Sequence, residues 1–212
     1  MRNSICRGVL MASVGLLAAT GVCAQQSPAP SKRPQFSTDL ALTYTAERGQ
    51  QAPGNCGCFW MQGGGVDAGL NLWKGSGIAA SFNTGKASNI APGVSLSKVQ
   101  FAAGPRYTYT AWTGTASTSR DAAASHRLQL FGQGLFGRVH AYNGAFPGPN
   151  GIVATASSFA LEAGVGLNLL FSKSLGVRLL EADYVRTSLP NNGSNTQNDM
   201  RLAAGITWHL GN

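Results

Sequence analysis

The sequence predicts an all-β chain folded as an eight-stranded antiparallel up-and-down transmembrane β-barrel over residues 36–212. The first observation is the closing stretch from Asp199 to Asn212, which alternates without interruption. Leu202, Ala204, Ile206, Trp208 and Leu210 fall on one face of an extended strand, with Arg201, Ala203, Gly205, Thr207 and His209 on the other, because successive strand side chains point to opposite sides. The second is that only 11% of residues are charged, where soluble domains carry about 25%. The third is that no apolar run of about 18 residues follows residue 24, which excludes helical spans, while a tilted strand crosses a bilayer with roughly 9 to 11 residues.

Residues 1–24 have the layout of a secretory signal peptide: Arg2 and Arg7, an apolar run from Val9 to Ala19, then Val22-Cys23-Ala24 ahead of Gln25. Cleavage is expected after Ala24, without a lipid anchor, because Thr20-Gly21-Val22 lacks the lead-in that lipoprotein processing uses. Residues 25–35 read as a flexible leader with prolines at 28, 30 and 34. Of the four cysteines, Cys56 and Cys58 remain after cleavage. Packed or free thiols, a strained local disulfide in an oxidising compartment, and a partial metal site short of the four ligands zinc prefers all stay open. The formal charge of +8 shrinks to a mild excess once signal and leader are set aside, so nucleic acid is not expected as a partner.

Segment one runs from Phe36 to about Ala46, with Phe36, Thr38, Leu40, Leu42 and Tyr44 opposite Ser37, Asp39, Ala41 and Thr43, and a loop is expected from Glu47 to Cys58. Segment two, Trp60 to Trp73, sets Val66, Ala68, Leu70 and Leu72 against Gly65, Asp67, Gly69 and Asn71, then turns at Lys74–Gly77. Segment three, Gly77 to Gly85, is followed by an expected loop over 86–98. In segment four Val99, Phe101, Ala103, Pro105, Tyr107 and Tyr109 oppose Gln100, Ala102, Gly104, Arg106 and Thr108. Pro105 should mark a missing ladder bond or a bulge. A polar connection is expected over 113–126. Segment five, Arg127 to Ala141, has no readable facing, and a loop follows over 141–157.

Segment six places Phe159, Leu161, Ala163, Val165, Leu167, Leu169 and Phe171 against Ala160, Glu162, Gly164, Gly166 and Asn168. Segment seven, Gly176 to Thr187, contains a conflict. Arg178 asks for the interior on even numbers, Glu181 and Asp183 on odd ones, and a β-bulge near Leu179-Leu180 would reconcile them. After the 188–199 loop the eighth segment ends the chain.

The faces opposite the apolar ones are rich in Gly, Ala and Ser, which suits a narrow bore rather than a solvated exterior, since an eight-stranded barrel is just wide enough for side chains to fill it. The glycines leave room for Arg106, Arg178 and Arg201 to lie across, and Asp39, Asp67 and Glu162 share their face. Buried charges persist only when paired, so these six are expected to form an interior ion-pair network. Tyr44, Trp60, Trp73, Tyr107, Tyr109, Trp112, Phe171, Tyr184 and Trp208 collect near segment ends, as interfacial girdles do.

Three stretches, Ala102-Ala-Gly-Pro-Arg-Tyr107, Glu181-Ala-Asp-Tyr-Val-Arg-Thr187 and Asn198 to Leu210, resemble small outer-membrane barrels related to the transmembrane domain of the outer membrane protein A family. The resemblance implies eight strands, charged residues inside, and assembly by the barrel-insertion machinery through the last strand. The expected location is the bacterial outer membrane, both termini periplasmic, as a monomer in lipid. The expected role is structural or surface interaction without catalysis, cofactor or metal. A narrow ion or small-solute channel is the alternative. A barrel enzyme acting on lipid or peptide ranks lower, because His126, His140 and His209 are the only histidines and no serine and carboxylate at a recognisable spacing join His209, the one on an inner face.

Overall fold

The computed structural model describes residues 36–50, 58–91, 94–115, 125–191, 193 and 195–211. Eight long strands close into one antiparallel barrel: β1 (Ser37–Gln50), β2 (Cys58–Trp73), β3 (Ser76–Ala91), β4 (Val94–Thr115), β5 (Ser125–Tyr142), β8 (Ala156–Leu170), β9 (Leu175–Thr187) and β10 (Gln197–Leu210). Each pairs with its sequence neighbour, and β1 pairs with β10 to close the ring. A separate two-stranded hairpin, β6 (Phe146–Gly148) with β7 (Gly151–Val153), occupies part of the stretch read from sequence as a plain loop.

The turn end of the barrel holds the start of β1, the end of β10 and the short β2–β3 and β8–β9 connections, and the loop end holds the β1–β2, β5–β8 and β9–β10 connections. Two connections break this sorting: the longer one between β4, ending at Thr115, and β5, starting at Ser125, falls at the turn end, and only residues 92–93 separate β3 from β4 at the loop end. At the turn end, Lys74 and Gly75 join β2 to β3 with φ values of 48° and 87°, the left-handed pair a two-residue hairpin requires. A Cβ on Gly75 would also collide with the Thr108 carbonyl.

Hydrogen-bonded partners followed from Thr38 through Leu70, Ile78, Pro105, across to Gly134, then Ala163, Tyr184 and Met200, return to β1 at Arg48, ten residues nearer the loop end. A stagger of that size on eight strands corresponds to a tilt of about 40–45°.

The apolar faces point outward. Val165 is 65% exposed and Ile206 47%, whereas Glu162 and Arg178 on the opposite faces are each 1% exposed. In β5 the inward positions are Gln129, Phe131, Gln133, Leu135, Val139 and Ala141, with Leu130 and Phe136 outside, so both faces carry large apolar groups. That is why its sequence showed no phase. The bulge falls at Leu179-Leu180: β8 and β10 both change register there, both leucines are exposed, and Arg178, Glu181 and Asp183 are all buried. Around Pro105 the β4–β5 pairing stops after Ala103 and resumes at Arg106, a gap in the ladder where proline has no N–H to give.

Several expected loops are shorter than the sequence reading placed them. β1 continues past Glu47 to Gln50, β3 to Ala91, and β4 begins at Val94 and continues to Thr115. These extensions are polar, and their backbone pairing continues past the point where the apolar alternation stops. The signal-like segment and leader, Cys56, and residues 116–124 lie outside the described residues. Cys58 is exposed at the start of β2, its Sγ accepting a hydrogen bond from Arg48 Nη2 at 3.2 Å.

Candidate functional site

The bore is filled by stacked polar layers. Nearest the turn end, Asp39 on β1 takes His209 Nδ1 at 2.5 Å and Asn71 Nδ2 at 2.9 Å. Its expected arginine partners lie elsewhere, so of the six predicted residues Asp39 stands apart from the network.

The central layer joins β2, β4, β5, β8 and β9. Asp67 receives Arg178 Nη1 at 3.0 Å and Arg106 Nη2 at 3.5 Å. Arg178 Nη1 also reaches Glu181 at 2.6 Å, and its Nε donates to Asn168 Oδ1 at 3.1 Å. Gln133 links the two halves: its Oε1 accepts from Arg106 Nε at 2.9 Å and its Nε2 donates to Glu181 at 2.8 Å. Both guanidinium carbons stand 4.6 Å from the centre of the Phe131 ring, so this buried aromatic adds cation–π attraction where solvation is lost.

In the next layer Arg201 bridges Glu162 at 2.5 Å and Asp183 at 3.0 Å, and Gln100 Nε2 donates to the other Glu162 oxygen at 2.9 Å. Closer to the loop end Lys98 pairs with Glu47 and lies 3.7 Å from Asp199. Above it Phe146 from the β6–β7 hairpin packs with Val139, Ala141, Ala160 and Leu189 as an apolar stopper.

Small residues make these layers possible. A Cβ on Gly69 would sit 2.7 Å from Arg106 Nη1, and one on Gly164 would overlap the Asp183 carboxylate. Arg106, Asp67, Arg178, Glu162 and Arg201 are thus brought into two adjoining layers, together with Glu181 and Asp183, whose inward facing the sequence did show. Glu47, Lys98, Asp199 and Gln133 were missed, and Gln100, read on the same face as Arg106, was not assigned to the network. Glu47 shares odd parity with Asp39, Ala41 and Thr43, and Lys98 shares even parity with Gln100 and Arg106. Extending the strands by parity would have found both.

Glu162, Glu181 and Asp183 present oxygens within 4.8 Å of one another, a donor set that could hold a cation. Arg201 already neutralises two of them and Arg178 the third, so ion pairing accounts for their convergence. The histidines do not assemble nucleophile chemistry among the described residues. His209 is held by Asp39, and no hydroxyl hydrogen-bonds to its ring. His140 Nδ1 meets Ser157 Oγ at 2.7 Å on the outer face without a carboxylate. His126 is half-buried at the start of β5.

An apolar outer wall around a filled, charged interior is the architecture of the small eight-stranded outer-membrane barrels. Among solved structures the chain is similar to Neisserial surface protein A, with a TM-score of 0.52 at 13% identity over 82% of this chain and 96% of that one. The attachment invasion locus protein Ail of Yersinia pestis gives 0.49 at 12% identity over 83% and 99%. The N-terminal β-barrel domain of Pseudomonas aeruginosa OprF gives 0.42 at 11% over 84% and 100%. At such identities the likeness speaks to fold alone. No family model and no curated protein sequence matches the chain.

Proposed function

We propose that the chain is a non-catalytic outer-membrane barrel, closed to solute flow, whose loop end faces outward and serves a structural or surface-interaction role. The observation that carries this reading is the sorting of side chains across the wall. Seven of the eight acids in the sequence, Asp39, Glu47, Asp67, Glu162, Glu181, Asp183 and Asp199, are buried inside, while Leu42, Phe82, Phe101, Val165 and Ile206 are exposed outside. A soluble barrel would carry the reverse sorting.

Trp73, Tyr107, Trp112 and Phe171 are exposed near the turn end, and Trp60, Phe159 and Tyr184 towards the loop end, consistent with two interfacial girdles about 25 Å apart. The short β2–β3 and β8–β9 turns support a periplasmic turn end, with both barrel termini there and β10 as the strand offered to the assembly machinery.

The test is gel migration of the protein extracted from cell membranes. The unboiled sample is expected to run at a different apparent mass from the boiled one and to fractionate with membranes until detergent is added. Recovery in the soluble fraction without detergent, with no dependence on boiling, would defeat the proposal.

A further inference from the structure

Every carboxylate among the described residues faces the bore, yet the described cations are divided: Lys98, Arg106, Arg178 and Arg201 lie inside, Arg127 is half-buried on the inward side of β5 at the turn-end rim, and the others lie outside. Four of the outer ones, Arg48, Lys86, Arg138 and Arg186, are exposed on β1, β3, β5 and β9. These four strands alternate around the closed ring and all run towards the loop end.

Pairing places the four close to one level. Arg48 lies opposite Trp60 and Met200, Lys86 opposite Gln62 and Ser97, Arg138 opposite Phe101 and Phe159, and Arg186 opposite Leu161 and Asn198. On the strands between them the partners step towards the turn end by two residues (Trp60 to Gln62), four (Ser97 to Phe101), two (Phe159 to Leu161) and two (Asn198 to Met200). Each two-strand step around a barrel of this stagger lifts the register by about 2.5 residues. The offsets therefore nearly cancel and leave all four cations within about a residue and a half of one ring. The ring borders the outward aromatics Trp60, Phe101 and Phe159, at the loopward margin of the apolar wall.

We propose that this ring is a collar for net-anionic, phosphate-bearing lipid headgroups in the leaflet at the loop end. The inference rests on the membrane reading above. Cations at this depth face headgroups, and arginine grips phosphate through two parallel N–H donors. The collar contains no carboxylate to receive an ammonium group, so a zwitterionic headgroup brings a charge with no partner here, whereas a phosphomonoester brings none. Two strand spacings put neighbouring cations about 10 Å apart or more, so the collar gathers several lipids around the perimeter rather than one in a pocket.

The experiment titrates the full chain, folded in octyl glucoside, with diphosphorylated lipid A, with the same glycolipid stripped of phosphate, and with inorganic phosphate. The readout is tryptophan emission, with Trp60 opposite Arg48 as the local reporter. Wild type is expected to bind the diphosphorylated lipid at least about tenfold more tightly than the stripped one, with affinity falling as salt rises. The variant R48Q/K86Q/R138Q/R186Q should lose about tenfold or more, R48K/R138K/R186K, which keeps the charge without the fork, should fall between it and wild type, and K74Q/K173Q at the other end should match wild type.

Equal wild-type affinity for the two lipids, an unweakened quadruple variant, or inorganic phosphate binding as tightly as the lipid would each overturn the collar. Boil-dependent migration reports the fold of every variant. Should the quadruple variant not fold, the wild-type comparison of phosphorylated and stripped lipid decides alone. Wild type that does not fold as a detergent-held barrel would fail the membrane reading instead, so the two failures are distinguishable.

Discussion

Arg178 shows how a charge is kept in the middle of a membrane-sized barrel. Its guanidinium, 1% exposed, spends its donors on Asp67, Glu181 and Asn168 and rests on the Phe131 ring. Truncation to alanine would leave Asp67 with only the 3.5 Å approach of Arg106, and Glu181 with only the Gln133 amide. Removing one partner of a buried pair costs about 3–5 kcal/mol, because the other charge stays behind uncompensated. Arg178→Ala is therefore expected to lower the urea concentration at which the folded gel band disappears. Arg178→Lys should recover only part of the loss, since an ammonium keeps the charge but neither the planar fork nor the stacking. An unchanged midpoint for the alanine variant would mean that this layer is not what holds the wall together.

Within β9 the same arginine depends on a single extra residue. Leu179 and Leu180 are both exposed because the bulge spends two residues where the neighbouring strands spend one. Deleting Leu180 would force either Arg178 or the pair Glu181 and Asp183 onto the apolar outer face, where, on the membrane reading proposed above, an arginine near the midplane costs about 2–4 kcal/mol, besides unpairing its partners. The deletion is expected to abolish the boil-sensitive folded band, while Leu179→Ala keeps it. A folded deletion variant would show that the register is less constrained than the charges imply. This bulge is legible in the sequence because Arg178 and Glu181 differ in parity, and a charge conflict within a strand allows few resolutions. β8 and β10 were readable because their inner faces are Gly, Ala and polar groups against an unbroken apolar outer face. β5 was not, since Phe131 and Leu135 serve the interior while Leu130 and Phe136 serve the wall. The loopward ends of β1, β3 and β4 were hidden for a different reason. Beyond the apolar band the outer face turns polar, so periodicity fades although hydrogen bonding does not. That is why the Lys98–Glu47 pair went unseen. Asp39 was assigned to arginines for another reason: His209 falls on the same inward side in the sequence reading, but what sets the two opposite each other is the closing register of β1 with β10, between residues 170 apart in sequence.

For the whole molecule the consequence is a blocked conduit with a marked charge imbalance. From the His209–Asp39 pair to the Phe146 stopper, successive layers cross the bore, and they hold seven carboxylates against Lys98, Arg106, Arg178 and Arg201. Wild-type protein in planar bilayers should consequently show no steady conductance, because the Arg178–Asp67 and Lys98–Glu47 pairs reach across the bore between strands that are not neighbours and the Phe146 cluster caps the loop end. Replacing Arg106 and Arg201 together by alanine removes one arginine from each of two adjacent layers and leaves the same seven acids facing Lys98 and Arg178. The double variant, once its folded band is verified by migration, should conduct. Its reversal potential in a potassium chloride gradient should lie on the cation-selective side, since the lining it exposes is dominated by carboxylates. Anion selectivity would contradict the interior charge assignment. Conductance identical before and after the substitutions would mean that the arginine layers are not the barrier, and that ions are stopped at the loop-end apolar cap or pass beside the network.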